Sequence, residues 1–549
     1  MDVLLFKPKM HANARLSSCI LISCMFPLCA VVGALTSGPV IRTATGNVRG
    51  QVTDIAREFL GIPFAKPPVG SMRWSKPQPP DPWSPGTLNA TARQPACPQK
   101  YCYKFLPNAS CPDISQTSED CLYLNVWTPL DANVTSGYPV MAFLHGGAFK
   151  WGSASLPMYD GGKLAMDGHV IVVDIEYRIG LLGFLYTGDG PGGATGNYGI
   201  LDQRLALQWI QTNIDAFGGD PFKVTLFGQS AGAQSVFIHV MSPPSNSLFR
   251  AAIVESAPFA VPYRTKDEAR LLATKFRELL KCREGDFQCL LNKTVEEIND
   301  AQQDVTFKIT GGKLDEYFEP IGPVVDGVDV PMQPMAAARL GKFRKLPLML
   351  GTVTEEGRLF VYGAWKLNLK RTEYEAALAA IHPSHFEEVE TEYPPSDVPD
   401  LRDELCEVVT DYLFTCATRN VSENILKGGN SSTFLYVFDH ATNGTGGWGK
   451  DTFCEGHVCH AEELAYIFQN SWVKGTPDEG TLSQLMVLYW SNFAHSMNPS
   501  VGPRSPLLRW FPYSPGSKTI MHFKTPTPEC ITQFRKQQCD FWDTVGYEL

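Results

Sequence analysis

A serine hydroxyl becomes a useful nucleophile only when the fold exposes it and a neighbouring base takes its proton. Ser230 stands in Gly228-Gln229-Ser230-Ala231-Gly232, where the apolar run "KVTLF" (223–227) gives way to the helical pattern "AGAQSVFIHVM" (231–241). A sharp strand-to-helix turn can push one hydroxyl into the open if its neighbours are small, and Gly228, Ala231 and Gly232 meet that need. The helix that follows would aim its first N–H groups, and the positive end of its dipole, at developing negative charge. Small residues also serve ordinary tight turns, so the five residues alone are weak evidence. The strand before them and the helix after them are the context this chemistry requires.

Acyl transfer also needs backbone donors for the carbonyl oxygen. "LHGGAF" (144–149) offers a Gly turn directly after another apolar run, and it precedes Ser230 in the chain. An acid and a base should follow the serine, in that order. "GTVTEEGRLF" (351–360) supplies Glu355 and Glu356, and "GHVCHAEELAYIF" (456–468) supplies His457 and His460. Position alone does not choose between them, because a lone histidine is more often structural than catalytic.

The elements that would position these residues alternate. Apolar, β-branched runs at 139–147, 169–178, 223–230, 250–258, 346–357 and 433–440 read as buried strands. Helical patterns at 201–217, 231–241 and 268–282 lie among them. This predicts an α/β fold with a mostly parallel sheet covered by helices on both faces. Its chemistry should gather beyond the carboxyl ends of the strands.

The chain has 549 residues, 44% of them hydrophobic and 19% charged, enough for a large core. We find no linker, low-complexity tract or internal repeat, so one domain over 35–549 is expected. A formal net charge of −10 argues against nucleic acid as a partner, which needs a clustered basic face. Lys7, Lys9 and Arg15 precede the apolar stretch "LSSCILISCMFPLCAVVGA" (16–34). It reads as a secretory signal peptide over 1–34, with Val32 and Ala34 at the cleavage site. An uncleaved anchor is the alternative, since the run approaches the length that spans a bilayer. Beyond it no segment is long and apolar enough to span.

Secretion accords with the 15 cysteines, of which Cys19, Cys24 and Cys29 lie in the leader and leave an even number behind. No paired knuckles suggest a metal, so disulfides are preferred. Sequons at Asn89, Asn108, Asn133, Asn292, Asn420, Asn430 and Asn443 predict a glycosylated surface.

"SEDCLYLNVWTP" (118–129), "HGGAF", "FGQSAGAQS", "TEEG" and "VCHAEELAYIF" occur in this order. Together they resemble the type-B carboxylesterase/cholinesterase family, from about residue 40 to the C-terminus. The resemblance implies the α/β-hydrolase fold and hydrolysis of carboxylic esters without a cofactor. It assigns Ser230 as nucleophile, Glu356 (directly before Gly357) as acid and His460 (three residues before Glu463) as base. Gly147, Ala148 and Ala231 match the oxyanion-hole donors. It also implies bridges Cys97–Cys121, Cys282–Cys289 and Cys416–Cys539. Of the remaining cysteines, Cys102–Cys111 and Cys454–Cys459 are neighbours in sequence, which leaves Cys406–Cys530.

Three departures stand out. Ala148 replaces a frequent third Gly, Gln229 replaces a frequent Glu, and Cys111 stands where cholinesterases carry a choline-binding Trp. Without that ring's cation–π face a cholinesterase is not expected. The expected function is a secreted serine esterase for neutral, small-molecule esters. The alternatives are a lipase or sterol-esterase relative, which needs an apolar lid, and a non-catalytic binding protein on the same scaffold. Acyl preference and oligomeric state do not follow from the sequence.

Overall fold

Fourteen short runs form strands in the computed structural model, which describes residues 38–100, 112–190, 192–309, 319–430, 432–445, 448, 452–470 and 475–547. They are β1 (Val40–Arg42), β2 (Asn47–Arg49), β3 (Gln51–Val52), β4 (Arg57–Pro63), β5 (Thr87–Asn89), β6 (Tyr123–Thr128) and β7 (Tyr138–Leu144). Then come β8 (Ile171–Ile175), β9 (Gly219–Gln229), β10 (Ala251–Glu255), β11 (Leu348–Val353), β12 (Thr433–Phe438), β13 (Thr519–Phe523) and β14 (Glu529–Thr532). β1, β2 and β5 make a small three-stranded sheet. The others make one 11-stranded sheet in the order β14-β13-β12-β11-β10-β9-β7-β8-β6-β4-β3. From β8 through β13 every pairing is parallel, and antiparallel strands close both edges.

The central strands are apolar on both faces because both faces are covered. On β7, Val140, Ala142 and Leu144 enter one core, while Met141 and Phe143 enter the other. β12 repeats this, with Leu435 and Val437 on one side and Phe434, Tyr436 and Phe438 on the other. Phe143 packs against Tyr159, Phe227 and Phe468 with centroids 4.8, 4.8 and 4.9 Å away. Cutting it to Ala would cost about 3–5 kcal/mol through the cavity left behind.

The helical patterns also appear. α1 (Tyr198–Asn213) continues as a tighter turn to Phe217, and α2 (Ala231–Met241) follows Ser230. α3 (Lys266–Leu279) opens on a reciprocal cap between Thr265 and Glu268, and α4 (Glu356–Ala364) follows β11. Residues Gly38–Leu549 form one compact unit by themselves. Residues 1–34, the expected leader, lie outside the described residues, and among those described no helix is long and apolar enough to cross a membrane.

Cys97–Cys121, Cys282–Cys289, Cys416–Cys539 and Cys454–Cys459 are bonded. Cys102, Cys111 and Asn108 fall outside the described residues. The expected Cys406–Cys530 bridge does not form, and both thiols are free. Cys406 is buried in the core on one face of the sheet, whereas Cys530 packs against the core on the opposite face. Elimination within the sequence carried no information about which face each thiol occupies.

Asn430 also differs from expectation. It is buried, and its Nδ2 donates to Leu346 O at 2.6 Å, so the nitrogen a glycan needs is already used inside the fold. Asn89, Asn133, Asn292 and Asn443 are exposed. Asn420 is half-buried and donates to Asp543 at 2.8 Å.

Candidate active site

β9 delivers the chain to Ser230, which adopts φ 58° and ψ −125° before α2 begins. A non-glycine residue at positive φ costs on the order of 1–2 kcal/mol. Two backbone bonds hold it there: Ser230 N donates to Glu255 O, and Gln234 N donates to Ser230 O, both at 2.9 Å. The glycines of the elbow serve close approach. A Cβ on Gly232 would stand 2.0 Å from Leu144 O, and one on Gly228 would stand 2.7 Å from the same oxygen. The motif lets the start of α2 press against the end of β7, where the next element begins.

That element is the turn after β7. Gly147, Ala148 and Phe149 all have positive φ, at 115°, 51° and 55°. Lys150 N and Trp151 N both donate to Gly147 O, at 2.9 and 3.0 Å. The surroundings are rigid. Tyr177 stacks on His145 at 4.4 Å and donates from its hydroxyl to His145 O at 2.7 Å. Glu176 accepts from Ser153 Oγ at 2.6 Å and from Ala154 N at 3.0 Å. Gln99 bonds Gly152 through both its amide atoms. None of the N–H groups of Gly147, Ala148 and Ala231 donates to another group among the described residues. In a rigid turn, unused donors of this kind can meet an oxyanion.

The two Glu–His candidates separate cleanly. Glu356 is fully buried at the end of β11; its Oε1 accepts from Val353 N at 2.9 Å, and its Oε2 accepts from His460 Nδ1. The His460 ring lies between Phe360 and Phe414, at 5.0 and 5.2 Å. Glu355 instead takes His457, with Nδ1 to Oε2 at 2.8 Å, and Arg358 bonds the other ring nitrogen at 2.8 Å. This second pair is about one-third exposed and ties the loop to α4. Glu355 and Cys459 form an isolated parallel bridge, and the Cys454–Cys459 disulfide closes the loop. Position alone left four residues open; the structure buries Glu356 with His460 and leaves Glu355 with His457 at the surface.

Three further side chains border the site. Gln229 Nε2 lies 3.0 Å from His460 Nε2. Glu255 ends β10 and accepts from Trp490 Nε1 at 2.6 Å; burial pushes its carboxyl up to about 8. Glu463 accepts from Ser256 Oγ at 3.3 Å; burial, then the Glu356 charge beside it, raises its pKa well above the usual carboxylate range. Sequence reasoning did not place Glu255 beside Ser230, although a lone carboxylate in the apolar run "RAAIVESAP" marked it. Among the described residues, no three His, Cys, Asp or Glu side chains are placed to hold a metal ion.

Ser230, the unused donors and the Glu356–His460 pair all lie beyond the carboxyl ends of β7, β9, β11 and β12. The arrangement has the parts of nucleophilic acyl transfer: a presented hydroxyl, an oriented imidazole and a place for an oxyanion. Comparison with known proteins bears on the same point. The sequence model of the carboxylesterase family matches residues 37–542. The "cAMP-regulated D2 protein" of Dictyostelium discoideum is 36% identical over 516 residues, covering 93% of this chain and 94% of that protein. The "Crystal protein" of the same organism is 36% identical over 512 residues, covering 91% of this chain and 90% of that one. With its elbow, its mostly parallel sheet and a match along nearly its whole described length, the chain belongs to the carboxylesterase family.

Proposed function

We propose that the protein is a secreted serine hydrolase of carboxylic esters that works through an acyl-enzyme on Ser230. Membership of the carboxylesterase family supports an esterase-type hydrolase. The observation that carries the finer reading is the buried Glu356–His460 pair beside the elbow. His460 Nε2 takes the Ser230 proton as Oγ attacks the ester carbonyl. Glu356 holds the ring and stabilises the imidazolium. The N–H groups of Gly147, Ala148 and Ala231 receive the oxyanion. The alcohol leaves with the proton from His460, and water repeats the sequence on the acyl-enzyme. No step calls for a cofactor. Four disulfides support export, with a leader over 1–34 and one catalytic domain over 35–549.

The test is 4-nitrophenyl butyrate hydrolysis by the full chain made in a secretory host, beside Ser230→Ala. Loss of roughly three to six orders of magnitude in kcat is expected. A folded wild type no faster than Ser230→Ala across short and long acyl chains would sink the reading. A second reading, a binding protein of low turnover, draws on the Gln229 amide lying on His460. The two relatives also carry names that are not those of enzymes. Titrating Ser230 with a covalent serine reagent separates the two: stoichiometric labelling favours the enzyme.

A further inference from the structure

The catalytic base has one lone pair for the serine proton, and in this structure another group occupies it. His460 Nδ1 is committed to Glu356, so in the neutral imidazole the one ring proton sits there and Nε2 is bare. A bare nitrogen 3.0 Å from an amide nitrogen can only accept, so Gln229 donates to it through Nε2. Both side chains are buried. Ser230 Oγ has no hydrogen-bond partner among the described residues.

We propose that Gln229 caps the base in the resting enzyme, holding His460 Nε2 away from Ser230 until its amide swings aside. The inference rests on the esterase reading of Ser230, Glu356 and His460, and it adds a positioning residue to it. Two donors cannot share one in-plane lone pair, so capping and proton transfer exclude each other. The Gln229 backbone is fixed, paired with Glu255 at the end of β9, and only its side chain can move. Gly146 gives it room: a Cβ there would stand 2.8 Å from Gln229 Oε1. A neutral hydrogen bond holds such a cap closed by roughly five- to tenfold.

Two readouts test this, one of them independent of turnover. The first is the nitrogen resonance of His460 Nε2 in isotope-labelled protein, assigned by its loss in His460→Asn. Ser230→Ala should leave that resonance in place in wild type, because the serine is not its partner. In Gln229→Met, which keeps the side chain's length but removes the donor, Ser230→Ala should move it. The second readout is inactivation by phenylmethanesulfonyl fluoride. There the Ser230 Oγ–S bond forms, S–F breaks, fluoride leaves and the proton passes to His460. Gln229→Met should react roughly five- to tenfold faster, with an unchanged thermal midpoint.

If Ser230→Ala moves the resonance equally in wild type and in Gln229→Met, the cap does not exist. If the resonances behave as expected but no variant reacts with the fluoride or an ester, the cap stands and the esterase reading falls. If esters turn over and the resonances do not distinguish the backgrounds, the reverse holds.

Discussion

Gly232 is the clearest single-residue lever on the site. Its missing Cβ would stand 2.0 Å from Leu144 O and 2.8 Å from His145 O, both backbone atoms that cannot rotate away. Gly232→Ala should therefore cost more than the ~1–3 kcal/mol usual for overpacking, because α2 must shift bodily. Soluble yield and the thermal midpoint check this; a variant as stable and active as wild type would refute the close approach. The requirement was legible in the sequence only through its context, since small residues around Ser230 gain this meaning from the strand before them and the helix after them. Position and spacing did not choose Glu356 over Glu355, or His460 over His457; only the family resemblance did, through Gly357 and Glu463. Both pairs sit in the same order at nearly the same spacing, and burial decides between them. The side chain of Gln229 was legible only as a lost charge, because sequence says nothing of where a flexible amide points.

At the scale of an element, the loop that carries His460 is held from two sides. Cys454–Cys459 closes it, and Glu355, His457 and Arg358 fasten it to α4. Closing so short a loop contributes ~2 kcal/mol by the loop-entropy relation. The double variant Cys454→Ala/Cys459→Ala should lose about that much stability, and should lose kcat disproportionately as His460 gains freedom. Chemical denaturation and ester turnover on one preparation separate the two effects; equal kcat would show that the ring of residues does not brace the base. Strands such as β7, β9 and β12 were readable because burial on both faces makes them continuous apolar runs. The small sheet of β1, β2 and β5 was not, since three residues are too few for any periodicity. Nor was the antiparallel edge strand β14, whose residues are exposed or half-buried and carry no core pattern.

For the molecule as a whole, buried titratable groups shape stability against pH. Burial pushes Glu255 up to about 8 from an ordinary value of 4.5. Between those values the folded protein keeps a proton that the unfolded chain has lost, so stability falls as pH rises from 5 toward 8. His239, buried against Gln203 and Ser245, is pushed by burial down to about 3 from 6.5. Below pH 6.5 the unfolded chain takes up a proton that the folded chain refuses, so stability falls as pH drops toward 3. Thermal midpoints of wild type, Glu255→Gln and His239→Gln across this range should show each substitution flattening one limb. A Glu255→Gln curve parallel to wild type on the alkaline side would refute the assignment.

The strand order has a consequence for how the protein is born. Along the large sheet, β9, β10, β11, β12, β13 and β14 lie side by side in the order in which they are translated. A ribosome therefore lays down the sheet like a row of planks, each new one finding the previous already in place. The row ends with an antiparallel plank, β14, that faces away from further parallel pairing. A nascent chain stalled anywhere between β9 and β13 exposes a raw parallel edge, the kind that recruits another copy. On the mechanism proposed above, the turn after β7, Ser230 and Glu356 all emerge before the base, His460. That mechanism would keep the growing polypeptide chemically silent until the segment carrying His460 has left the exit tunnel.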